Sequence, residues 1–531
     1  MQRLVRYLLF LIVTLMMSAC QGGRFSLFDD EAPAYAIDTA VVQDFLANAA
    51  DTMHIRMYAD RYTRKHFQSV EDDADDDDRF VWISGDGVTC QADTLLRYLR
   101  TVGDLGFRQS SFSVDEIEAD IDTLRAHYLE DETQDSMSLT MARLEYNLTL
   151  AMLRYAYGQR YGYLKPHKLF NTLLRDADRD SSEVHYRWLF DIPCEEPSDT
   201  LMTLLFDAVR DERLHDLLED LQPKSQIYQT MLCEYHRARE NGERWRARLA
   251  RINLERSRWR YPQPEGGQYI WVNLAGYTLT AVDTERDTMM TMRICAGNRT
   301  HKSPMLMSSI SYVELNPYWV IPMSIIRKEI CARHVGDAGY FSRNSIHAIE
   351  KKTKVELDAA SLSEADLRSG RFILRQEKGA GNSLGRMIFR FPNRFSVYLH
   401  DTNNHGAFSR TDRALSHGCI RLEKPFELYR IFMGENPDSL RMDRVRMSID
   451  LEPVSDVGRL WKEEHPDTEP MHSVGLAVKP KLWIDYWTLY RILSPSLSHD
   501  GEDDQPTGMQ LKEYPDTYGY DQEIEKVLNA F

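Results

Sequence analysis

The chain has 531 residues, room for roughly two to four domains at ~100–200 residues each. Hydrophobic residues make up 43% and charged residues 28%, ordinary globular usage that excludes wholesale disorder and a polytopic membrane protein. Lys plus Arg number 65 against 82 Asp plus Glu, a formal charge of −17 that repels phosphate backbones and argues against a nucleic-acid partner. Seven Cys are too few for a disulfide framework.

The chain opens with Arg3 and Arg6, followed by 13 uncharged residues from Tyr7 to Ala19. That run is shorter than the ~20 residues that span a bilayer, and it suits the apolar region of a signal peptide. Ser18 and Ala19 stand directly before Cys20. This resembles the lipobox of bacterial lipoproteins, with Met17 in place of the usual Leu. The resemblance implies a signal peptide over 1–19, lipidation of Cys20, and a membrane-held protein facing the periplasm. The other reading is an ordinary signal peptide with an incidental Cys. Gln21 replaces the Asp that often retains lipoproteins in inner membranes, which tips the expectation toward the outer membrane. The six remaining cysteines, Cys90, Cys194, Cys233, Cys295, Cys331 and Cys419, show no metal-type spacing. If one is a catalytic thiol, five remain, so at least one more stays unpaired.

Residues 20–91 read as a tether and acidic linker region. Gly22-Gly23 marks the tether, and Glu71–Asp78 (EDDADDDD) reads as a solvated loop, with a cation site as the other reading. Residues 92–255 read as a helical domain. Ser113 with Glu116 has the capping-box spacing, followed by an apolar stripe of Ile117, Ile121, Leu124 and Tyr128. Further stripes run through Leu144, Leu148, Ala151, Met152 and Tyr155, through Leu214, Leu217, Leu218 and Leu221, and through Ile227, Met231, Leu232 and Tyr235. They predict bundle core and carry no chemistry.

The stretch YPQPEGG at 261–267 marks a boundary, and beyond it the period changes from helical to alternating. Strands are predicted over Ile270–Leu274, Thr278–Val282 and Thr288–Cys295, then at Phe372–Leu374, Met387–Phe391 and Ser396–Leu399. Together they predict a mostly β domain over 269–452, with a partly helical insertion at 331–370. Residues 453–531 read as a C-terminal extension packing on one of the two domains, with one strand over Leu482–Tyr490, a polar loop at 498–508 and a final helix. The fold class is therefore α+β and multidomain.

Chemistry concentrates in 398–425, around Ser416-His417-Gly418-Cys419-Ile420-Arg421-Leu422, with His400 standing 19 residues before Cys419. A thiolate is the reactive form of cysteine, and a nearby imidazole can take the thiol proton. Gly418 permits an unusual backbone path, and the N–H groups of Gly418 and Cys419 are candidate oxyanion donors. Arg421 is placed to fix a loop carbonyl or a substrate carboxylate. Two other readings stand beside this one. Cys419 is a small core residue, or His400, His405 and His417 join it in a zinc site, for which the paired short spacings are absent.

S-H-G-C-I-R-L after a strand ending Y-L-H-D-T resembles the signature of the L,D-transpeptidases (the YkuD-type domain). Leu315-Asn316-Pro317-Tyr318-Trp319 with Ile321-Pro322 and Ser324-Ile325, and Asn382-Ser383-Leu384-Gly385-Arg386, resemble two further blocks of that family. Asn253-Leu254-Glu255-Arg256-Ser257-Arg258-Trp259 and Tyr518-Gly519-Tyr520-Asp521 resemble the large YcbB-type subfamily. The resemblance implies a helical scaffold domain, a mostly β catalytic domain, and a capping subdomain inserted over the active site to exclude water. One departure is the segment Tyr235–Ile252, too short to hold the small peptidoglycan-binding module that many relatives carry there.

Carried over residue by residue, the resemblance makes Cys419 the nucleophile and His400 the base, oriented by Asp401 or a backbone carbonyl. Ser416, His417 and Gly418 shape the site. Arg421, Tyr398, Asn393, Trp319 and Arg386 are candidates for lining the substrate cleft. The implied partners are peptidoglycan tetrapeptide stems, as donor and as acceptor, with cell-wall synthesis proteins as further partners. The implied chemistry is a thioester acyl-enzyme that releases D-Ala and forms 3→3 cross-links, with a thiol open to carbapenems and no metal or organic cofactor. Water as acceptor gives an L,D-carboxypeptidase, a protein acceptor gives a wall-attachment transferase, and an idle site gives a peptidoglycan-binding lipoprotein.

Overall fold

The computed structural model describes residues 38–68, 80–84, 87–127, 134–175, 184–260, 262, 266–434, 437–490 and 511–531. The leader, Cys20, the Gly22-Gly23 tether, the acidic run Glu71–Asp78 and the loop 498–508 lie outside these residues. No helix among the described residues is long and apolar enough to cross a membrane. The chain forms two compact units. One holds the residues up to Leu169, Cys194–Tyr261 and Asp521–Phe531, and the other holds Phe170–Pro193 and Pro262–Tyr520.

The first unit is helical. Its longest helix, Gln134–Tyr161, buries Leu144, Leu148, Leu153 and Tyr157 on successive sides, as a helix enclosed by its neighbours does. The region read as a tether contributes to this core. The helix Thr39–Thr52 sets Val42, Leu46 and Ala50 at four-residue steps against Phe67 and Ala142. Two buried polar links hold the same region. Glu145 accepts from Val81 N (3.0 Å) and Trp82 N (3.1 Å), and Arg154 pairs with Asp60 (2.7 Å). The helical core therefore begins near residue 38, not 92.

The helix Val114–His127 forms, yet Ser113 adopts left-handed angles (φ 52°), so the Ser113–Glu116 pair lacks the extended N-cap backbone of a capping box. The N-L-E-R-x-R-W stretch lies on the helix Arg244–Arg258, with Trp259 as its C-cap. Its charged side chains are buried: Glu255 accepts from Leu164 N (2.8 Å), Arg258 donates to Leu105 O (3.0 Å), and Arg256 pairs with Asp521 (2.5 Å). That last contact ties the terminal helix Tyr520–Ala530 into the helical unit.

The second unit is built on a twelve-stranded sheet. Gln268–Asn273, Thr278–Asp283 and Thr288–Gly297 form the antiparallel meander that the alternation predicts, in the register Trp271↔Thr280 and Ala281↔Met290. On one side follow Ile420–Leu422, Leu399–His400, Met387–Arg390, Tyr312–Leu315 and Ser473–Val474, and Ala414–Ser416 pairs in parallel with the end of Thr288–Gly297. On the other lie Lys481–Asp485, Met305–Ser309 and Phe190–Asp191. Two boundaries change accordingly. Lys481–Asp485 is an internal strand between Gln268–Asn273 and Met305–Ser309, so 453–531 is no mere extension. Phe190–Asp191 pairs with Met305–Leu306, which removes 170–193 from the helical domain.

The insertion is larger than 331–370. It is a small subdomain with its own four-stranded sheet, in the order Trp319–Val320, Phe372–Gln376, Ile346–Glu350 and Glu356–Asp358. Ile321, Ile326, Ile330, Phe341, Ile346, Leu367 and Leu374 form its core. Trp319 pairs with Gln376 at the base, so the strands that close this cap lie outside the predicted limits.

Candidate active site

Leu399–His400 runs parallel to Ile420–Leu422, with Leu399 opposite Ile420 and His400 opposite Arg421. Ile420 N donates to Tyr398 O (3.1 Å), which carries the pairing back to Cys419. Strand alternation then gathers Tyr398, His400, Cys419 and Arg421 on one face. Leu399, Ile420 and Leu422 face the opposite side and are fully buried. Y-L-H and C-I-R are thus one pattern: each apolar middle residue anchors a strand whose polar neighbours meet across the ladder.

A hydrogen-bonded loop holds Cys419. Ser416 Oγ donates to Cys419 O (2.5 Å) and accepts from Gly418 N (3.1 Å). Gly418 has φ +116°, a conformation side chains disfavour, and its carbonyl accepts from Ser303 Oγ (2.8 Å). Because the Gly418 N–H is taken by Ser416, it is not the free oxyanion donor that the sequence suggested. His417 is exposed, and its Nε2 lies 2.5 Å from Glu329 Oε1 of the cap.

Burial governs the charges. It pushes the Cys419 thiol up, opposed by hydrogen bonds with Tyr398 and by the positive charges of Arg390 and Arg421. His400 is pushed down to about 3 by burial and then by Arg421, against weaker interactions with the backbone of Asp401 and Leu384. The resting pair is therefore a neutral thiol and a neutral imidazole. Tyr398 touches both: it hydrogen-bonds the thiol, and its ring meets His400 edge-on at 5.6 Å. The Asp401 carboxylate does not orient the imidazole; Oδ2 accepts from Arg386 N (2.9 Å) instead. Among the described residues, His400 Nδ1 and Arg421 Nε are buried at this face without hydrogen-bond partners, as is Asp401 Oδ1 next to His400 in the chain.

Three of the five predicted cleft residues do structural work. Arg386 donates to Ile449 O (2.6 Å) and pairs with Asp450 (3.5 Å). Asn393 clips its own loop, donating to Phe391 O (3.0 Å) and Val397 O (2.9 Å) and accepting from Phe395 N (3.0 Å) and Val397 N (3.2 Å). Trp319 packs against the core of the cap. Tyr398 and Arg421 stand beside the thiol. Among the described residues, His400, His405 and His417 form no metal-ligand group. His347, Glu356 and Glu377 of the cap do bring ligand-type atoms within 4.8 Å of one another. Arg375 answers their charge, at 2.8 Å from Glu377 and 3.4 Å from Glu356.

Sequence reasoning missed Arg390 and Glu329. Arg390 ends the strand Met387–Arg390, where the register sets it opposite Tyr398. Its guanidinium lies 4.6 Å over that ring and pairs with Glu314 (2.7 Å). An arginine at the end of an apolar strand beside Y-L-H was its available signal. Glu329 has no local signal, because only the folding of the cap brings it to His417.

Residues 267–439 match the family model of the L,D-transpeptidase catalytic domain (YkuD), and residues 74–232 match that of the Scaffold domain. A Haemophilus influenzae protein named "Putative L,D-transpeptidase" is 27% identical over 292 residues, 54% of this chain and 58% of that protein. The chain thus spans less than two thirds of the length of the curated relative it matches. With the signature residues assembled on one strand face inside the matched segment, the chain carries a YkuD-type L,D-transpeptidase catalytic domain with a Scaffold domain ahead of it, the YcbB-type arrangement.

Proposed function

We propose that this chain is a peptidoglycan L,D-transpeptidase that forms 3→3 cross-links through a thioester on Cys419. The observation that carries the reading is the shared face of Tyr398, His400, Cys419 and Arg421 within the family-matched segment. A tetrapeptide stem is the donor. His400, neutral at physiological pH, takes the thiol proton as sulfur attacks the carbonyl of the third stem residue. Arg421 and Arg390 stabilise the developing negative charge, and the Cys419 N–H is the oxyanion donor of the loop, since Gly418 N is engaged. D-Ala leaves carrying the proton that His400 took from the thiol, and the side-chain amine of a second stem resolves the thioester, its proton passing through His400 to the departing sulfur. Ser416 fixes the loop through Cys419 O, and the residues themselves supply this chemistry without a cofactor. Cys20 is the lipid anchor, which holds the enzyme on the periplasmic face of the envelope, at the outer membrane, among other cell-wall synthesis proteins.

The test is product analysis with disaccharide-tetrapeptide as substrate and Cys419→Ala as control. Dimers one D-Ala lighter than two monomers, absent from the control, support the reading. Tripeptide monomers alone make the chain a carboxypeptidase, and no Cys419-dependent product overturns both.

A further inference from the structure

The cap meets the nucleophile loop through Glu329. This residue lies in the π-helical turn Ile326–Ile330, whose flanking Ile326 and Ile330 are buried in the cap core. Such turns recur at functional sites. Glu329 points out of that core, 47% exposed, and holds His417 Nε2 at 2.5 Å, two residues before Cys419. The surroundings are otherwise rich in positive groups. Arg390 and Arg421 act on the thiol, and the His301 ring lies 5.0 Å from His417. Of the other carboxylates nearby, Glu314 pairs with Arg390, and Asp401 is buried with its Oδ2 on Arg386 N.

A half-exposed carboxylate paired with a half-exposed imidazole is complementary to an amino-acid head group, which offers an ammonium to one and a carboxylate to the other. Water offers neither. We propose that Glu329, with His417, selects a zwitterionic amine as the acyl acceptor: the ammonium replaces His417 on Glu329, and the acceptor's carboxylate replaces Glu329 on His417. The inference rests on the transpeptidase reading. In the step it favours, the acceptor nitrogen bonds to the acyl carbon and the C–S bond to Cys419 breaks. The ammonium loses two protons, one to solvent before attack and one through His400 to the departing sulfur. Glu329 is a recognition group and takes neither.

The experiment loads Cys419 from the tetrapeptide and compares two acceptors against hydrolysis. One is disaccharide-tripeptide, whose diaminopimelate ends in a zwitterion; the other is hydroxylamine, uncharged at neutral pH. Glu329→Gln keeps the shape and removes the charge, and transfer to the tripeptide is expected to fall roughly tenfold or more while transfer to hydroxylamine stays within about twofold. Glu329→Asp restores part of the loss. An equal fall with both acceptors, or an intact tripeptide transfer, overturns the proposal. Failure of the unaltered chain to load at all overturns the transpeptidase reading instead, a result read before any acceptor is added.

Discussion

Gly385 is the position where backbone geometry and the site are most tightly joined. It has φ +63°, and a Cβ there would lie 2.4 Å from Asp401 Cβ and Cγ and 2.5 Å from Oδ2. Left-handed angles cost a side-chain-bearing residue about 1–2 kcal/mol. Forcing a methyl group against a buried side chain adds about 1–3 kcal/mol, so Gly385→Ala loses roughly 2–5 kcal/mol of stability. The neighbour that must yield is Asp401, directly after His400, and its movement breaks the Arg386 N–Asp401 Oδ2 hydrogen bond and shifts His400. Gly418→Ala is the comparison. Its φ is also positive, +116°, but the nearest atom to a new Cβ is Val397 Cγ1 at 3.8 Å. That variant carries backbone strain without collision, about 1–3 kcal/mol. Urea denaturation gives both costs, and mass spectrometry of carbapenem acylation at Cys419 gives the rates. Gly385→Ala is expected to be the less stable variant and to acylate at least about tenfold more slowly than the unaltered chain. A Gly385→Ala protein of unaltered stability and acylation rate would refute the reasoning.

Other outcomes follow from the same contacts. Because His400 titrates at about 3, the acid limb of the acylation profile is expected below about pH 4, and a limb near 6.5 that vanishes on His400 substitution would contradict this. Burial raises Glu145 to about 7. Its contribution to stability is full below the unfolded carboxyl range near 4.5 and is lost as pH rises through 7, roughly 3 kcal/mol in total, measurable by denaturation between pH 4.5 and 8. Arg386→Ala and Asn393→Ala are each expected to lose about 1–3 kcal/mol of stability with donor KM unchanged, whereas a raised KM at full stability would restore them to the cleft. Tyr398→Phe removes a hydrogen bond to the thiol and is expected to slow iodoacetamide alkylation of Cys419 by about 2–10-fold at fixed pH.

Much of the site was legible in the sequence because it is local. Y-L-H and S-H-G-C-I-R each alternate polar with apolar residues, and one ladder brings them together. The cap was only half legible. Its closing strands, Trp319–Val320 and Phe372–Gln376, are more than fifty residues apart and pair only after the insertion folds, so composition marks its middle and not its edges. Residues 38–68 read as a tether because an acidic run stands beside them, although Val42, Leu46 and Ala50 carry the four-residue step of a buried helix face. Arg386 and Asn393 lie in the motif blocks, and each also ties down a loop. Side chains that clip loops and side chains that bind ligands are the same residue types, so the sequence alone does not separate the two roles.

The most direct measurement is the intact mass of the protein after brief mixing with disaccharide-tetrapeptide, followed by peptide mapping. A covalent increment equal to the donor less D-Ala, confined to the peptide bearing Cys419, abolished by Cys419→Ala and strongly slowed by His400→Ala, is the predicted result. An unmodified protein that nevertheless releases D-Ala, or an adduct on any other side chain, would contradict the thioester account.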